Sequence, residues 1–177
     1  MVDSYNAAPD IRGRQMEGRM TTTTETLPAR ALAAGEGEAR WWFGQLAVLK
    51  ATAKDTAGGH TLVEITVNPG YETPLHIHHR EDEGFWMLDG SATFTVGNQT
   101  VEAGPGAYLF GPKHVPHKWK AGSDGARLLY LFAPGGFEDL IREMSEPARE
   151  LVPPPPEVRP PDNVVEVATR FGVELQL

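Results

Sequence analysis

Residues 70–90, GYETPLHIHHREDEGFWMLDG, contain the pattern from which the fold of this chain is predicted. His76 and His78 stand two residues apart, so both imidazoles leave the same face if this segment is a β-strand. Glu83 opens the apolar run that follows, which predicts a second strand close behind the first. Two imidazoles and one carboxylate brought together by a tight connection would supply three ligands for a divalent metal ion.

A second segment that carries histidines follows at residues 104–119, GPGAYLFGPKHVPHKW. Its His117 would complete a set of imidazole nitrogens and one carboxylate oxygen that suits divalent iron, nickel, manganese, cobalt or zinc. The alternative is a barrel whose histidines only fill the interior. Because buried imidazoles without partners are costly, metal binding is the favoured hypothesis. Asp82 is the alternative carboxylate to Glu83.

The composition of the chain limits the classes of function to be considered. Its 177 residues, 40% of them hydrophobic, suit one domain with room for a core. There is no cysteine, so any metal must be held by nitrogen and oxygen, and the chain fits a reducing cytoplasm. The formal net charge of −8 argues against a nucleic-acid partner, and no apolar run reaches the ~18 residues of a membrane span.

Short apolar runs separated by turn signals predict an all-β fold. Residues 61–67, TLVEITV, alternate between apolar and polar side chains and are typical of a half-buried strand. Asp89-Gly90 and Gly97-Asn98 are dipeptides typical of hairpin turns. Many short strands at a spacing of roughly 8–12 residues predict a sandwich or a barrel. Further strands are predicted at residues 41–43, 46–49, 75–78, 83–88, 91–96, 101–103, 107–110, 115–120 and 127–132.

The predicted barrel spans residues 41–133. The segments before and after it lack its pattern of short strands. Residues 1–40 are poor in large apolar side chains and predict a flexible arm. If Met20 is the natural start, the first nineteen residues are an upstream extension or an expression remnant; otherwise they belong to the arm. The C-terminal part, residues 134–177, is predicted to contain three pieces: a helix at 137–144, an extended proline-rich strap at 151–156 and a short terminal helix at 164–172.

The two segments that carry histidines resemble the two motifs of the cupin superfamily. In the first motif, the fixed spacing is carried by Gly70, His76, His78, Glu83 and Gly90. In the second, it is carried by Gly106, Pro112 and His117. His114 stands where the family usually has glycine, and histidine is among the residues tolerated in a turn with positive φ. Ala121 stands where the family often has asparagine, which is structural and touches no ligand.

The resemblance implies a small double-sheet jelly-roll barrel with one pair of motifs, and a homodimer built through barrel edges. It also implies that one divalent metal ion is held by His76, His78, Glu83 and His117. Glu83 is preferred over Asp82 because its distance from Gly90 fits the motif. The aromatic residues after Glu83 and the proline-rich tail resemble quercetin dioxygenase-like single cupins. For such proteins the resemblance implies a metal-bound substrate attacked by O₂, with Glu83 also serving as the catalytic base.

Alternation along the strands predicts what surrounds the metal. Phe85 and Met87 share the interior face with Glu83, and Trp119 lies beside His117, so these three apolar residues would line a substrate pocket or simply form barrel core. Three functional hypotheses remain: a metal-dependent dioxygenase acting on a small aromatic or enolisable compound, a non-redox isomerase or cyclase, and a non-catalytic small-molecule binding module.

Overall fold

The computed structural model describes residues 27–176. Residues 1–26 of the predicted flexible arm, including Met20, therefore lie outside the described residues. Within residues 27–176 there are ten β-strands and two short helices, so the predicted all-β class is confirmed. The elements are β1 (Glu38–Trp42), β2 (Gln45–Ala51), β3 (Thr61–Val67), β4 (Leu75–His78), β5 (Asp82–Val96), β6 (Gln99–Ala103), β7 (Tyr108–Gly111), β8 (His117–Ala133), α1 (Phe137–Glu143), β9 (Ser145–Pro147), α2 (Val164–Arg170) and β10 (Val173–Gln176).

The strands form one continuous antiparallel sheet that rolls up into a jelly-roll barrel. Its order is β10-β4-β8-β3-β2-β1-β9, and β5 pairs with β6, β7 and β8. The two longest strands, β5 and β8, lie side by side over almost their full length, from Asp82 opposite Ala133 to Val96 opposite His117. These two strands therefore link the two layers of the barrel.

The predicted hairpin turn at Asp89-Gly90 is wrong, because β5 continues through it. The pairing of β5 with β8 shifts register on either side of Gly90, which is how a sheet bends without a turn. Gly90 has φ 72°, and a Cβ at this position would lie 2.2 Å from the carbonyl oxygen of Gly125 on β8. Glycine is needed here because the two backbones approach so closely. The strands predicted at residues 83–88 and 91–96 are therefore parts of the single strand β5, and those predicted at 115–120 and 127–132 merge into β8, which begins at His117.

The core lies inside the rolled sheet and follows the predicted alternation. In β3, residues 61, 63, 65 and 67 are buried and the residues between them are partly exposed. The predicted hairpin at Gly97-Asn98 is confirmed, since it joins β5 to β6 with Val96 opposite Gln99. The largest fully buried apolar side chains are Trp119, Phe85, Phe94, Phe132, Leu49, Ile65, Met87 and Leu128.

The C-terminal part of the chain packs against one end of the barrel. Helix α1 forms where helical spacing predicts it, and it buries Phe137, Leu140 and Ile141. Strand β10 was not predicted; it follows α2 and pairs with β4, placing Leu175 opposite His76. Residues 151–156 contain neither helix nor strand. Neither helix in residues 27–176 has the length and apolar character that crossing a membrane would require.

Candidate metal centre

Three strands bring four side chains to one point inside the barrel. Strand β4 contributes His76 and His78, which share a face because they stand two residues apart. Glu83 follows from the start of β5, and His117 opens β8 directly opposite His76. One potential ligand atom from each residue lies within 4.8 Å of the other three. The structure thus brings together all four residues predicted as metal ligands.

A single carboxylate oxygen lies among the imidazoles. Oε2 of Glu83 is 3.0 Å from Nε2 of His117, 3.3 Å from Nε2 of His78 and 4.0 Å from Nε2 of His76. His78, Glu83 and His117 are each only 2% exposed, so these groups face one another rather than water. The alternative carboxylate, Asp82, instead accepts the backbone N–H of Lys113 at 2.9 Å and lies outside the cluster.

The far sides of the imidazole rings are held by the protein. Nδ1 of His76 lies 2.9 Å from the carbonyl oxygen of Pro74, and Nδ1 of His117 lies 2.9 Å from that of Val115. A carbonyl oxygen can only accept, so each Nδ1 carries a proton and donates it. This arrangement fixes the rings and directs Nε2 towards the centre of the cluster, as metal-binding histidines require.

His78 is held in a different way, by a carboxylate that sequence analysis missed. Its Nδ1 lies 3.6 Å from Oε2 of Glu81, a residue only 7% exposed. Neither atom has a hydrogen-bond partner among the described residues. Glu81 stands in the acidic stretch REDE, where no feature of the sequence distinguishes it from its neighbours.

The electrostatics of the cluster follow from burial and close pairing. Burial alone would raise the pKa of Glu83, but hydrogen bonds from His117 and His78 outweigh it and hold this pKa well below its usual range. Burial alone would lower the pKa of His78, but Glu81 and Glu83 outweigh it and raise this pKa to about 9. Burial lowers the pKa of His76 to about 4 against the attraction of Glu83. At neutral pH, Glu83 is therefore ionised, His76 is neutral and His78 is protonated, so a metal ion that binds His78 would displace its proton.

These residues fit a divalent metal ion. Three imidazole nitrogens and one ionised carboxylate oxygen converge, and neutral His76 can donate a lone pair without first losing a proton. The donor set suits iron, nickel, manganese, cobalt or zinc. The cluster as a whole could bind a metal, although its donors do not distinguish among these ions.

A cavity that opens to solvent adjoins the cluster. Phe85 and Trp119 line it, as predicted, whereas Met87 is fully buried and is not part of its lining. The remaining lining comes from β1, β2, β4, β8, β10, both helices and the residues just before β4. Alternation along those strands predicts burial but not which end of the barrel a side chain occupies. These additional residues include Trp42, Gln45, Tyr71, Tyr130, Phe132, Phe137, Leu140, Met144, Val173 and Leu175.

The two other histidines near the site lie outside the cluster. His114 has φ 67°, as predicted for a turn residue, and its backbone N–H donates to the carbonyl oxygen of His78 at 2.7 Å. The side chain of His79 is 43% exposed and lies 3.2 Å from Glu174 on β10. His114 therefore positions the end of β4 through its backbone, and His79 belongs to the surface.

Residues 63–134 match the family model described as the cupin domain. This match confirms the resemblance seen in the two motifs, and it covers the strands that carry both of them.

Known relatives of the chain include enzymes. Over 140 residues it is 29% identical to quercetin 2,3-dioxygenase of Bacillus subtilis, which corresponds to 76% of this chain and 41% of that protein. Over 56 residues it is 34% identical to an uncharacterized protein of Streptomyces coelicolor, covering 32% of this chain and 53% of that protein. A solved structure of oxalate decarboxylase from Bacillus subtilis matches with a TM-score of 0.51 and 26% identity, covering 56% of this chain and 28% of that chain. The chain spans less than two thirds of the length of each of these relatives.

Proposed function

We propose that this protein is a metal-dependent cupin dioxygenase that acts on a small aromatic or enolisable compound. His76, His78, Glu83 and His117 would hold one divalent metal ion, and the substrate would occupy the adjoining cavity. The observation that carries this proposal is the convergence of three imidazoles and a carboxylate on the edge of a cavity lined with aromatic rings. The likeness to quercetin 2,3-dioxygenase supports the reaction class.

The side chains of the site suit this reaction. When bound, the metal would polarise a coordinated substrate oxygen and, if redox-active, assist electron transfer towards dioxygen. Glu83 is the proposed base, because burial alone raises the pKa of its carboxylate. Once the nitrogens of His117 and His78 ligate a metal, they no longer donate to this carboxylate, so it can take the proton from a substrate hydroxyl. Phe132 and Phe137 stack with ring centroids 3.8 Å apart next to His78, and together they keep water from this side of the site.

A non-redox isomerase or cyclase is the second candidate. It would use the same four ligands, because zinc, a Lewis acid without redox chemistry, fits the donor set as well as iron or nickel does. The two candidates differ in whether the reaction consumes oxygen, and this difference can be measured.

We also propose that the protein forms a homodimer, in a cytoplasmic setting compatible with its lack of cysteine. The support for a dimer is an apolar patch on the outer face of β5, β7 and β8. Trp86 lies opposite Tyr108 in the β5–β7 pairing, and both are at least half exposed. Phe110 and Leu131 lie opposite Gly84 on its two sides and extend the same patch. Exposed apolar patches of this kind often mark protein interfaces.

Elemental analysis of the purified protein beside two histidine variants tests the metal site. We expect near-stoichiometric iron, nickel, manganese or cobalt in the wild type and its loss in His76→Ala, with little change in circular dichroism. His79→Ala is the matched control, because His79 is the neighbouring but exposed histidine and should keep the metal. Full metal stoichiometry in His76→Ala would contradict the ligand assignment.

Oxygen uptake by the metal-loaded wild type with flavonol-like compounds tests the reaction. We expect substrate loss in air and none under anaerobic conditions. Conversion without oxygen by a zinc-loaded protein would support the isomerase or cyclase instead. If no metal binds even after reconstitution, the proposed function is wrong.

A further inference from the structure

The cavity beside the metal cluster contains a second group of polar side chains, which has no role in holding the metal. Nε1 of Trp119 donates to the hydroxyl of Tyr130 at 2.7 Å, and this hydroxyl donates to Oε1 of Gln45 at 3.2 Å. All three side chains are at least 97% buried and line the cavity. The Tyr130 hydroxyl and the Gln45 carbonyl oxygen are therefore already paired within the protein.

Two donors next to this chain of hydrogen bonds remain available to a ligand. The carbonyl oxygen of Gln45 accepts from Tyr130, and its amide nitrogen carries two N–H groups. Tyr71 lies beside this amide: burial raises the pKa of its hydroxyl, and a hydrogen bond from the Gln45 side chain partly opposes that increase. The second N–H of Gln45 and the O–H of Tyr71 are then the donors left among the described residues. Both groups lie in the cavity wall, so an oxygen atom of a bound molecule can accept a hydrogen bond from each of them.

Aromatic rings separate these donors from the metal cluster. The ring of Phe85 lies 6.2 Å from the ring of His117 on one side and 5.2 Å from that of Tyr130 on the other, measured between centroids. The ring of Phe132 similarly lies 5.7 Å from His78 and 5.9 Å from Tyr130. A ligand that contacts both the metal cluster and the donors of Gln45 and Tyr71 must therefore carry a flat apolar portion at least one ring long between its two polar ends.

The far end of the cavity also carries no positive charge. No lysine or arginine is among the residues that line the cavity in the described part of the chain. The ionisable side chains at this end are Tyr71 and Tyr130, and burial raises the pKa of both, so both are neutral. A carboxylate placed here would lose its hydration without gaining a counter-ion, which is costly.

We infer that the cavity selects a neutral aromatic compound with metal-ligating oxygens at one end and an oxygen for Gln45 and Tyr71 at the other. Gln45 and Tyr71 are then residues that determine specificity, and compounds with a carboxylate at the far end are poor ligands. This inference rests on the proposed function, because the bound metal defines the near end of the ligand.

The affinities of two ligands for the wild type and for two variants test the inference. Binding of 3-hydroxyflavone and of its 4′-hydroxy derivative is measured under anaerobic conditions by absorbance, using protein with confirmed metal content. We expect the wild type to bind the 4′-hydroxy compound about tenfold more tightly, since one hydrogen bond is worth about 1 kcal/mol or more. Gln45→Leu and Tyr71→Phe should each reduce this preference to about twofold or less.

The choice of variants keeps the result interpretable. Gln45→Leu leaves Tyr130 without its acceptor and could disturb folding, whereas Tyr71→Phe leaves that hydrogen bond in place. Tyr108→Phe is the control, because Tyr108 is 55% exposed on the outer face and should not alter the preference.

Several results would overturn the inference. These are an unchanged preference in Tyr71→Phe, binding of the 4′-carboxylate derivative of 3-hydroxyflavone as tight as that of the neutral probes, or no binding of either flavone to metal-loaded protein. A protein that loads no metal would be detected before any ligand is added, and would overturn the proposed function together with the inference.

Discussion

Replacing Glu138 in helix α1 tests how the wall of the cavity is held in place. This carboxylate is only 4% exposed. It accepts the backbone N–H of Ala53 at 2.8 Å, that of Gly136 at 3.0 Å, and the hydroxyl of Thr61. Its neighbour on the helix, Phe137, lines the cavity. Glu138 therefore ties the start of α1 to the barrel wall.

The expected cost of Glu138→Gln follows from these contacts. Glutamine has nearly the same shape, but only one of its two terminal atoms can accept, so at least one buried donor loses its partner and the others lose a charged acceptor. A hydrogen bond to a charged group is worth roughly 1.5–3 kcal/mol. We expect Glu138→Gln to lower the free energy of unfolding by about 2–4 kcal/mol at pH 7.

Part of this cost should depend on pH. Burial alone would raise the pKa of Glu138, but the Thr61 hydroxyl and the backbone N–H groups outweigh it and lower the pKa. A carboxyl group whose pKa is lowered on folding stabilises the folded state above its unfolded pKa, about 4.3 for glutamate. This stabilisation is lost as the pH falls through the folded pKa. The difference between wild type and variant should therefore be constant from pH 8 to about 5 and shrink below about pH 4.

Urea unfolding of metal-free protein across this pH range, followed by circular dichroism, measures both quantities. Asp139→Asn is the matched control, since the neighbouring Asp139 pairs with Arg142 at the surface, where such pairs contribute about 0–1 kcal/mol. A Glu138→Gln cost below about 0.5 kcal/mol at pH 7, or one that does not change between pH 7 and pH 3, would refute the reasoning.

Two further predictions concern the metal centre and the outer patch. Glu81→Leu should weaken metal binding about 10–100-fold, because the carboxylate facing His78 is lost, while Glu81→Gln should retain much of the affinity. Competition with a chelator measures this effect, and equal affinities in both variants would contradict it. Trp86→Asp should convert the proposed dimer into a monomer in light scattering, whereas Val165→Asp on α2, which is similarly exposed, should not. A Trp86→Asp protein that remains dimeric would contradict the location of the interface.

The convergence of four side chains at one point could be predicted from the sequence, partly from local geometry and partly from the resemblance of the two motifs. His76 and His78 share a face by strand periodicity alone, and Glu83 follows after a short connection. The arrival of His117 on the same face depends on the second motif, whose spacing resembles a known family. For such clusters, spacing predicts which side chains converge, whereas their role as metal ligands stays a prediction.

The features that sequence analysis missed depend on contacts between distant segments. Asp-Gly suits a tight turn and a bend in a continuous strand equally well, and only the approach of Gly125 to Gly90 distinguishes them. The four residues of β10 are too few to show a period of their own, and their partner lies far back in the chain. Gln45 likewise looks like an ordinary strand residue until Tyr130 is placed beside it.

The long pairing of β5 with β8 has a consequence for what a bound metal would do to the whole barrel. Glu83 lies near one end of this ladder, opposite Phe132, and His117 lies at the other end, opposite Val96. If the ladder were flat, its thirteen-residue stretch from residue 83 to residue 96 would separate them by roughly 43 Å. Their side chains are instead 3.0 Å apart.

An ion held by both residues would therefore cross-link the two ends of the curved β5–β8 strand pair. Because the ion would bind only the folded form, its binding free energy would stabilise the protein against unfolding. This stabilisation would apply to the whole strand pair rather than to one loop. Conversely, a substitution that alters the curvature of β5 or β8 would change the metal affinity, even at a position far from the four proposed ligands.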